Sequence, residues 1–486
     1  MNIIGNYKQI TIFYFVIVLL NILLFGSSIN MLLSLVQYII VIKCILAKKY
    51  NEAIFYHLTF VATSLAPTTA FDLQEGASSI CSYARIKIGP VCFFYLISLY
   101  LLFISTNRKS KHYLSGSLFS ELTKCVLFLA VSGFVLGLIG FVFLGNYDFS
   151  SFLLYGTYIF MVYVNMRLLM NFCSKELLDM FYKNLPPIMG AGILATAAAY
   201  YVFGLASSYG VLNMILQPDI VYFGVLFFMG FYKSPYKKYV LIVSILYILM
   251  NLTSATGHNI IIIAIGLMYF LYYTYFSKDL LASNRKEVTK FRKDFTVLLP
   301  IIVVLIVAYA NMGTLFLIKS QNVLSLFSTN VDEVDTSPYV RIATTMNIFE
   351  NNKYNPIGLL FGQGYGGYFT DQLNMFVGLD LSDGGWPDKD ISTGRFTRAH
   401  DTFATVPLVN GFGGLLYLMY ICYKYAKAAR KSFMAYAIFP WIVFTFYFNI
   451  IYAVIGICCL FAAEYELSNI IQYENTNSRL LRRSLS

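Results

Sequence analysis

Arginine and histidine side chains collect in one polar stretch late in the chain, and their types point to chemistry on a phosphorylated substrate. Arg341, Arg395 and Arg398 each offer a planar, permanently charged guanidinium group that fits phosphate oxygens. His400 follows closely, and a histidine can accept a proton at neutral pH. Asp401, next to it, either holds the backbone in place or lies in solvent, and it joins Arg395 among the substrate-binding candidates. We therefore predict a phosphate site with Arg341 and Arg398, against the alternative that these are solvated arginines, whereas a lone histidine such as His400 is more often structural.

Glycines of the same stretch match a nucleotide-binding spacing. Gly362, Gly364 and Gly367 fit the pattern G-x-G-x-x-G, which binds dinucleotides only between a strand and a helix of a βαβ unit. A short helix is predicted before these glycines, so we do not expect a nucleotide here. The other use of such glycines is close backbone approach, with the N–H groups of Gly364 and Gly367 facing a bound phosphate or sugar.

One tryptophan and several acids complete the candidates of this stretch. Trp386, one of only two tryptophans in the chain, could stack on a sugar ring or anchor the loop in the membrane interface. Four acids lack the spacing of an EF-hand, and solvated loop acids are the favoured interpretation over a cation site. These acids are Asp383, Asp388, Asp390 and Asp401.

The composition is that of a membrane protein. Of the 486 residues, 58% are hydrophobic and only 12% are charged, whereas a typical soluble domain carries about 25% charged residues. The net charge of +11 is spread over alternate loops, which indicates topology-setting charge and not a nucleic-acid partner. The eight cysteines have no metal-ligand spacing and are interpreted as small buried hydrophobes.

Apolar runs of roughly 16–25 residues are long enough to cross a bilayer as helix. They predict an all-α fold, a polytopic membrane helical bundle of about 12–14 transmembrane helices, with about fourteen preferred. Residues 1–316 would form a bundle of about eleven spans, and 403–466 would add the last three. The predicted spans are approximately 10–26, 29–46, 53–70, 87–106, 122–145, 151–171, 187–206, 218–232, 238–253, 259–276, 296–316, 403–423, 433–449 and 451–466.

Loop charge predicts the orientation. Basic residues fall in alternate connections, which the positive-inside bias assigns to the cytoplasm together with both termini and the basic tail 467–486. The large loop 317–402, between the eleventh and twelfth spans, is then outside, which in a bacterium is the periplasm. Arg85 and Lys87 lie at the outer mouth of an earlier span and could extend the cationic surface of that loop; Arg85 is a further substrate-binding candidate.

The large loop carries local helix signals. Thr336 is a hydroxyl cap before Pro338 at a first helical position. Ile342, Met346 and Phe349 then form one apolar face of a short helix that ends near residue 352. Residues 354–369 are predicted as turns, and 380–395 as polar and mobile. We expect the loop to lie over the bundle without a long hydrophobic core of its own.

The point where the loop re-enters the membrane resembles a family signature. His400-Asp401 is followed, nine residues later, by Gly411-x-x-Gly414. This pattern is similar to the one shared by bacterial O-antigen polymerases (the Wzy family) and O-antigen ligases. Upstream, residues 341–367 resemble the loop of the same family: an arginine, a short helix, Asn-Pro, then glycines and an aromatic residue.

The resemblance implies a glycosyltransferase of the bacterial inner membrane. It would polymerise undecaprenyl-pyrophosphate-linked repeat units into the O-antigen polysaccharide of lipopolysaccharide. Donor and acceptor are both lipid-linked oligosaccharides, so neither a nucleotide sugar nor a cofactor is expected, and arginines could take the place of a metal. In this scheme Arg341 and Arg398 stabilise the leaving pyrophosphate, and His400 is the base or orients the acceptor. Other implied partners are membrane lipids, a chain-length regulator protein and a flippase.

The sequence departs from the family at two places. Asp401 stands where ligases usually have Asn, Ser or Gln, which weakens the ligase interpretation more than the polymerase one. The family's Ser-Arg pair at the outer end of a middle span is replaced by a stretch ending in His258, which is therefore a substrate-binding candidate.

Three alternatives stay open. The first is a ligase that transfers glycan to lipid A-core, and the second is a capsule or exopolysaccharide polymerase. The third is a flippase or other transporter of lipid-linked sugar. A transporter would place ionisable residues inside its spans near the midplane, and such residues are scarce in the predicted spans.

Overall fold

The computed structural model is mostly helical. It describes residues 4–24, 28–64, 82–88, 91–106, 114, 116–144, 147–203, 239, 242, 243, 246, 336–377, 379, 381, 386, 388–397, 399, 402–429, 432–446 and 450–484. Within these residues, five helices are long and apolar enough to cross a membrane, which fits a multi-pass membrane protein. They cover Ile29–Leu46, Leu118–Phe143, Phe149–Asn171, Thr402–Ala428 and Ile450–Ser468.

The N-terminal part of the described chain is built from seven helices and one hairpin. The helices are α1 (Tyr7–Leu23), α2 (Ser28–Leu46), α3 (Tyr50–Ala62), α4 (Phe93–Thr106), α5 (Leu118–Ile139), α6 (Phe149–Asn171) and α7 (Lys175–Tyr201). A π-helical turn, Gly140–Leu144, continues α5. Ser117, Asp148 and Ser174 start α5, α6 and α7 in the usual way, because each side chain accepts a hydrogen bond from the N–H three residues ahead.

Two helices of the N-terminal part begin more than four residues away from the predicted start of their span. The span predicted over 87–106 begins only at Phe93, because β1 (Lys87–Ile88) pairs antiparallel with β2 (Val91–Cys92) ahead of it. The all-α prediction therefore needs this small hairpin added. The span predicted over 187–206 begins earlier, at Lys175, because Ser174 caps the helix and the helix continues through Pro186 and Pro187.

The C-terminal part contains six further helices. They are α8 (Thr336–Asn352), α9 (Pro356–Phe361), α10 (Asp388–Thr393), α11 (Thr402–Ala428), α12 (Ile438–Thr445) and α13 (Ile450–Ser484). A 3₁₀ helix, Phe433–Ala437, precedes α12, so the single span predicted over 433–449 is divided. Helix α13 continues through the predicted tail.

One apolar core joins α1–α7 with α11–α13. Helix α13 lies in its middle and contacts α3, α6, α7 and α12. Residues 451–463 of α13 are all buried, as expected for a helix that is apolar all round. The predicted spans 218–232, 259–276 and 296–316 lie outside the described residues, as does 238–253 except for four isolated helical positions.

Candidate functional site

The large polar segment has an apolar core of its own, contrary to the prediction. We call residues 336–399 the loop layer. Its core also includes Ala404 and Leu408 of α11, so the layer is joined to the bundle, and α8 and α9 both contact α11. The core members within the layer are Val340, Ala343, Ile348, Phe369, Phe376, Trp386, Phe396 and Ala399.

Helix α8 occupies the predicted segment and ends at the predicted place, but it turns its apolar face outward. It begins at Thr336, which places Arg341 in its second turn. Ile342, Met346 and Phe349 are 49%, 48% and 50% exposed. The opposite face, which includes Val340, is buried in the loop layer.

A second short helix stands where turns were predicted. Helix α9 begins at Pro356, whose missing N–H costs nothing at a first helical position. Asn355 caps it, because its Oδ1 accepts a hydrogen bond from the N–H of Gly358 at 3.0 Å.

The glycine turn, residues 362–367, inserts into a break in α11. Gly411 has φ +68°, which interrupts the helix and leaves carbonyls of the preceding turn without helical partners. The N–H of Gln363 donates to Leu408 O at 2.8 Å, and the N–H of Gly364 donates to Val409 O at 2.9 Å. Backbone N–H groups of the turn therefore bond the carbonyl groups that the break leaves open. Irregular backbone inside a membrane bundle requires such internal hydrogen bonds.

Close backbone approach was predicted for the glycines, and it occurs, but toward the protein itself. A Cβ on Gly364 would overlap the backbone N of Gly137 in α5. The N–H of Gly364 is already bonded to α11, and the N–H of Gly367 donates to Gly364 O at 3.2 Å. Neither N–H is therefore open to a phosphate or sugar, and both residues are removed from the substrate-binding candidates. Because a helix precedes the turn, a dinucleotide motif is excluded here as well.

Tyr365 holds the glycine turn against α5, and Asn410 joins α11 to the same helix; the sequence did not single them out. The Tyr365 N–H donates to Gly133 O at 2.9 Å, and its ring packs against Gly133. The Asn410 amide donates to Leu129 O at 2.8 Å and to Ser132 Oγ at 2.9 Å. The sequence feature that could have identified Asn410 is its place inside an apolar run, directly before Gly411.

Trp386 is a core residue of the loop layer. Its side chain is 0% exposed, and its ring lies 5.1 Å from that of Phe376 and 5.0 Å from that of Phe396, centre to centre. Neither sugar stacking nor anchoring in the membrane interface is possible for a ring without exposed surface. Residues 380–395 were predicted to be polar and mobile, whereas Trp386 is buried and residues 388–393 form α10, whose Asp390 is also buried.

The candidate arginines occupy three different settings. Arg341 is half-buried on α8, next to Val340 of the layer core. Arg395 is exposed, with its guanidinium carbon 5.0 Å from the centre of the Tyr368 ring. Arg85 is half-buried in an earlier connection. The three arginines thus belong to different elements: the segment before β1, helix α8 and the residues after α10.

Four other candidates lie outside the described residues: Arg398, His400, Asp401 and His258. Ala399, between two of them, is described and belongs to the layer core together with Val340. The structure thus brings the neighbour of Arg341 and the neighbour of His400 into one cluster.

Residues 388–397, which we call the rim, carry several charged side chains and lie beside this cluster. Asp390 Oδ2 accepts hydrogen bonds from the N–H and the hydroxyl of Thr397, both at 3.0 Å. Burial raises the pKa of Asp390, although these bonds act in the opposite direction. Burial would also raise the pKa of Asp148, but hydrogen bonds from Ser151, Lys389 and Ser150 outweigh it and lower the pKa to about 2.

The rim does not resemble a cation site. Asp390 is engaged by Thr397, and Asp388 is exposed at the start of α10, while Asp383 and Asp401 lie outside the described residues. Among the residues that the structure describes, no group of three or more His, Cys, Asp or Glu side chains could hold a metal ion.

A buried polar chain crosses the N-terminal helices and was not expected from the sequence. His57 of α3 is fully buried; its Nδ1 lies 2.8 Å from the Tyr83 hydroxyl, and its Nε2 lies 2.8 Å from Ser98 Oγ. The Ser98 hydroxyl donates to Asn165 Oδ1 at 2.9 Å. Since that bond uses the Ser98 proton, Ser98 accepts from His57 Nε2–H, which leaves Nδ1 to accept from Tyr83.

The chain was also compared with known proteins. No model of a known protein family matches it, and the curated proteins contain no match to its sequence.

Proposed function

We propose that the chain is a membrane glycosyltransferase that polymerises undecaprenyl-pyrophosphate-linked oligosaccharides into an O-antigen polysaccharide. The observation that carries the proposal is the cluster shared by Val340 and Ala399. Val340 precedes Arg341, and Ala399 stands between Arg398 and His400. A phosphate-binding group and a proton acceptor that are distant in sequence therefore have neighbours in one buried cluster beside a membrane bundle.

The reaction needs two kinds of help that these residue types supply. A hydroxyl oxygen of the acceptor sugar attacks the anomeric carbon of the donor. The new glycosidic bond forms while the bond from that carbon to the pyrophosphate oxygen breaks, and both electrons of the broken bond leave with the pyrophosphate. The hydroxyl proton passes to His400, acting as general base. Arg341 and Arg398 offset the growing negative charge on the pyrophosphate.

Substitution of His400 tests the proposal most directly. His400→Ala should abolish polymer in a deletion strain complemented with the variant, while protein level and the single-unit product stay unchanged. The matched control is Asp388→Ala, which removes an exposed charge from the same layer. Full-length polymer from the His400 variant would remove the histidine from the mechanism.

Arg341→Lys tests the shape of the phosphate contact. Lysine keeps the positive charge and loses the two-pronged fork, so polymer yield should fall if the contact is bidentate. Equal activity of both side chains would show that charge alone is needed.

A transporter of lipid-linked sugar is the second candidate, because one observation favours it. His57 is an ionisable side chain buried between helices, and such residues often mark transport pathways. The two functions separate in vitro with the purified protein and a defined lipid-linked oligosaccharide. A glycosyltransferase lengthens the glycan in detergent, where no compartments exist, whereas a transporter leaves it unchanged.

A further inference from the structure

Helix α8 has the reverse of the polarity expected for a helix on a water-facing surface. Between residues 339 and 352, the exposed side chains are Ile342, Met346 and Phe349, and all three are apolar. The buried face carries the polar residues Thr344, Asn347 and Asn352 beside the apolar residues Val340, Ala343 and Ile348. A helix beside water normally shows the opposite arrangement.

The buried polar groups of α8 have partners inside the loop layer. Asn347 Nδ2 donates to Asp371 Oδ1 at 2.8 Å, and Asn347 Oδ1 accepts from the N–H of Leu373 at 3.1 Å. The Thr344 hydroxyl donates to Val340 O at 2.7 Å. These hydrogen bonds fix the polar side of α8 against the loop layer. The apolar side of the helix therefore faces outward.

The apolar surface continues from α8 onto α9 and α11. Ile357, Leu360 and Phe361 of α9 are exposed. The ring of Phe349 lies 6.0 Å from that of Phe412 in α11, in an edge-to-face arrangement. From Phe412 the exposed side of α11 runs on through further apolar and aromatic residues: Leu416, Met419, Tyr420 and Tyr423.

We propose that α8 and α9 lie in the membrane interface, with Ile342, Met346, Phe349, Ile357, Leu360 and Phe361 in contact with lipid acyl chains. Lipid is the partner that fits this surface, because the exposed apolar side of α11 continues it. Helix α11 is one of the helices long and apolar enough to span a membrane. Lys353 and Tyr354 lie between the two helices, with the Lys353 ammonium 4.8 Å from the centre of the Tyr354 ring. Lysine and tyrosine are the side chains expected where acyl chains give way to headgroups.

An interfacial α8 has a consequence for Arg341. The residue directly precedes Ile342, the first member of the stripe. The backbone of Arg341 therefore also lies at the membrane interface in this arrangement. This inference concerns the position of the two helices and holds whatever reaction the chain catalyses.

Tryptophan fluorescence in lipid nanodiscs tests the proposal. The two native tryptophans, Trp386 and Trp441, are both fully buried, so the signal of an added tryptophan is obtained by subtracting the wild-type spectrum. Met346→Trp should lose most of its emission when the acyl chains carry bromine and should resist iodide in the water. Ser392→Trp, at an exposed position of α10, is the matched control and should show the opposite pattern.

Two results would overturn the proposal. Quenching of the Met346→Trp signal by iodide and not by brominated lipid would place α8 in water. Protection from both quenchers would show that protein covers the stripe. Ile357→Trp repeats the measurement on α9, so a folding defect in one variant does not decide the result.

Discussion

The glycine turn and the rim of the loop layer share a backbone feature in opposite surroundings. Gly364 in the turn has φ +81°, and Gly394 at the end of α10 has φ +64°. A Cβ on Gly364 would overlap the backbone of α5, whereas a Cβ on Gly394 would meet nothing within 4 Å. Position 364 requires glycine because of its positive φ and because no room exists for a side chain. Position 394 favours glycine because of its positive φ alone.

The two regions are also held by different groups. The glycine turn is fixed by backbone hydrogen bonds to α5 and α11. The rim, residues 388–397, is fixed by the side chains of Asp390, Thr397 and Lys389 and by a backbone bridge between Phe396 and Phe369. Backbone contacts depend on main-chain position and leave little room for substitution, while side-chain contacts can be exchanged. We therefore expect the turn to tolerate substitution less well than the side-chain contacts of the rim.

The largest effect is expected from the same substitution at both glycines. Gly394→Ala should cost about 1–2 kcal/mol, the usual penalty of a left-handed conformation. Gly364→Ala adds an overlap with backbone atoms and should cost more than about 4 kcal/mol or prevent folding. Thermal unfolding of the purified variants in detergent measures both. Equal losses would mean that the turn does not occupy the gap between α5 and α11.

A second pair of glycines tests which part of Tyr365 fills that gap. A Cβ on Gly133 would lie 2.8 Å from the Tyr365 ring, and a Cβ on Gly137 would lie 2.8 Å from the Tyr365 backbone N. In a Tyr365→Ala background, the further cost of Gly133→Ala should fall by about 1 kcal/mol or more. The cost of Gly137→Ala should stay unchanged, because the backbone remains. Rescue of both, measured as melting temperature, would contradict the assigned contacts.

Asp390 is expected to have a moderate effect in the rim. Asp390→Ala leaves the N–H of the half-buried Thr397 without an acceptor and should cost about 1–3 kcal/mol. Asp390→Asn keeps one acceptor and should cost less. Because burial raises the pKa of Asp390, its ionised form is a cost at neutral pH that protonation removes. Wild type should therefore gain stability relative to Asp390→Asn as the pH falls through that raised pKa. If wild type instead loses stability relative to Asp390→Asn on acidification, the folded protein favours the ionised carboxylate.

The smallest effect is expected from the ion pair at the edge of the rim. Lys389 is 70% exposed, and its Nζ lies 3.0 Å from Asp148 Oδ1. Lys389→Met should cost less than about 1 kcal/mol and nothing measurable at high salt. Asp148→Ala should cost about 1 kcal/mol, because it also removes the cap of α6, whereas Asp148→Asn keeps a capping oxygen.

Acid titration tests the contribution of the Asp148 carboxylate to stability. The pKa of Asp148 is lowered to about 2, so its contribution is present above the ordinary carboxyl pKa of about 4 and is lost as the pH falls toward 2. The stability gap between wild type and Asp148→Asn should close over that interval. A gap that persists at the acid end would assign the effect to something other than the charge.

Local signals in the sequence determined most helix positions. The hydroxyl and proline at 336–338 and the apolar spacing that follows predicted α8 and its end at residue 352, because caps and periodicity act within a few residues. The apolar runs predicted helices over the described spans for the same reason. The sequence did not reveal the short helix α9, although Asn355-Pro356 is a typical start signal.

Only the tertiary structure decided which surfaces these elements meet. The apolar face of α8 was visible in the sequence, but its outward direction was not, since an apolar side chain is stable both in a protein core and against lipid. Trp386 is buried because Phe376 and Phe396 close around it. Gly364 needs its missing side chain because of Gly137, which belongs to a helix far away in the sequence. Local preference fixes an element, whereas its partners depend on packing that no short stretch of sequence contains.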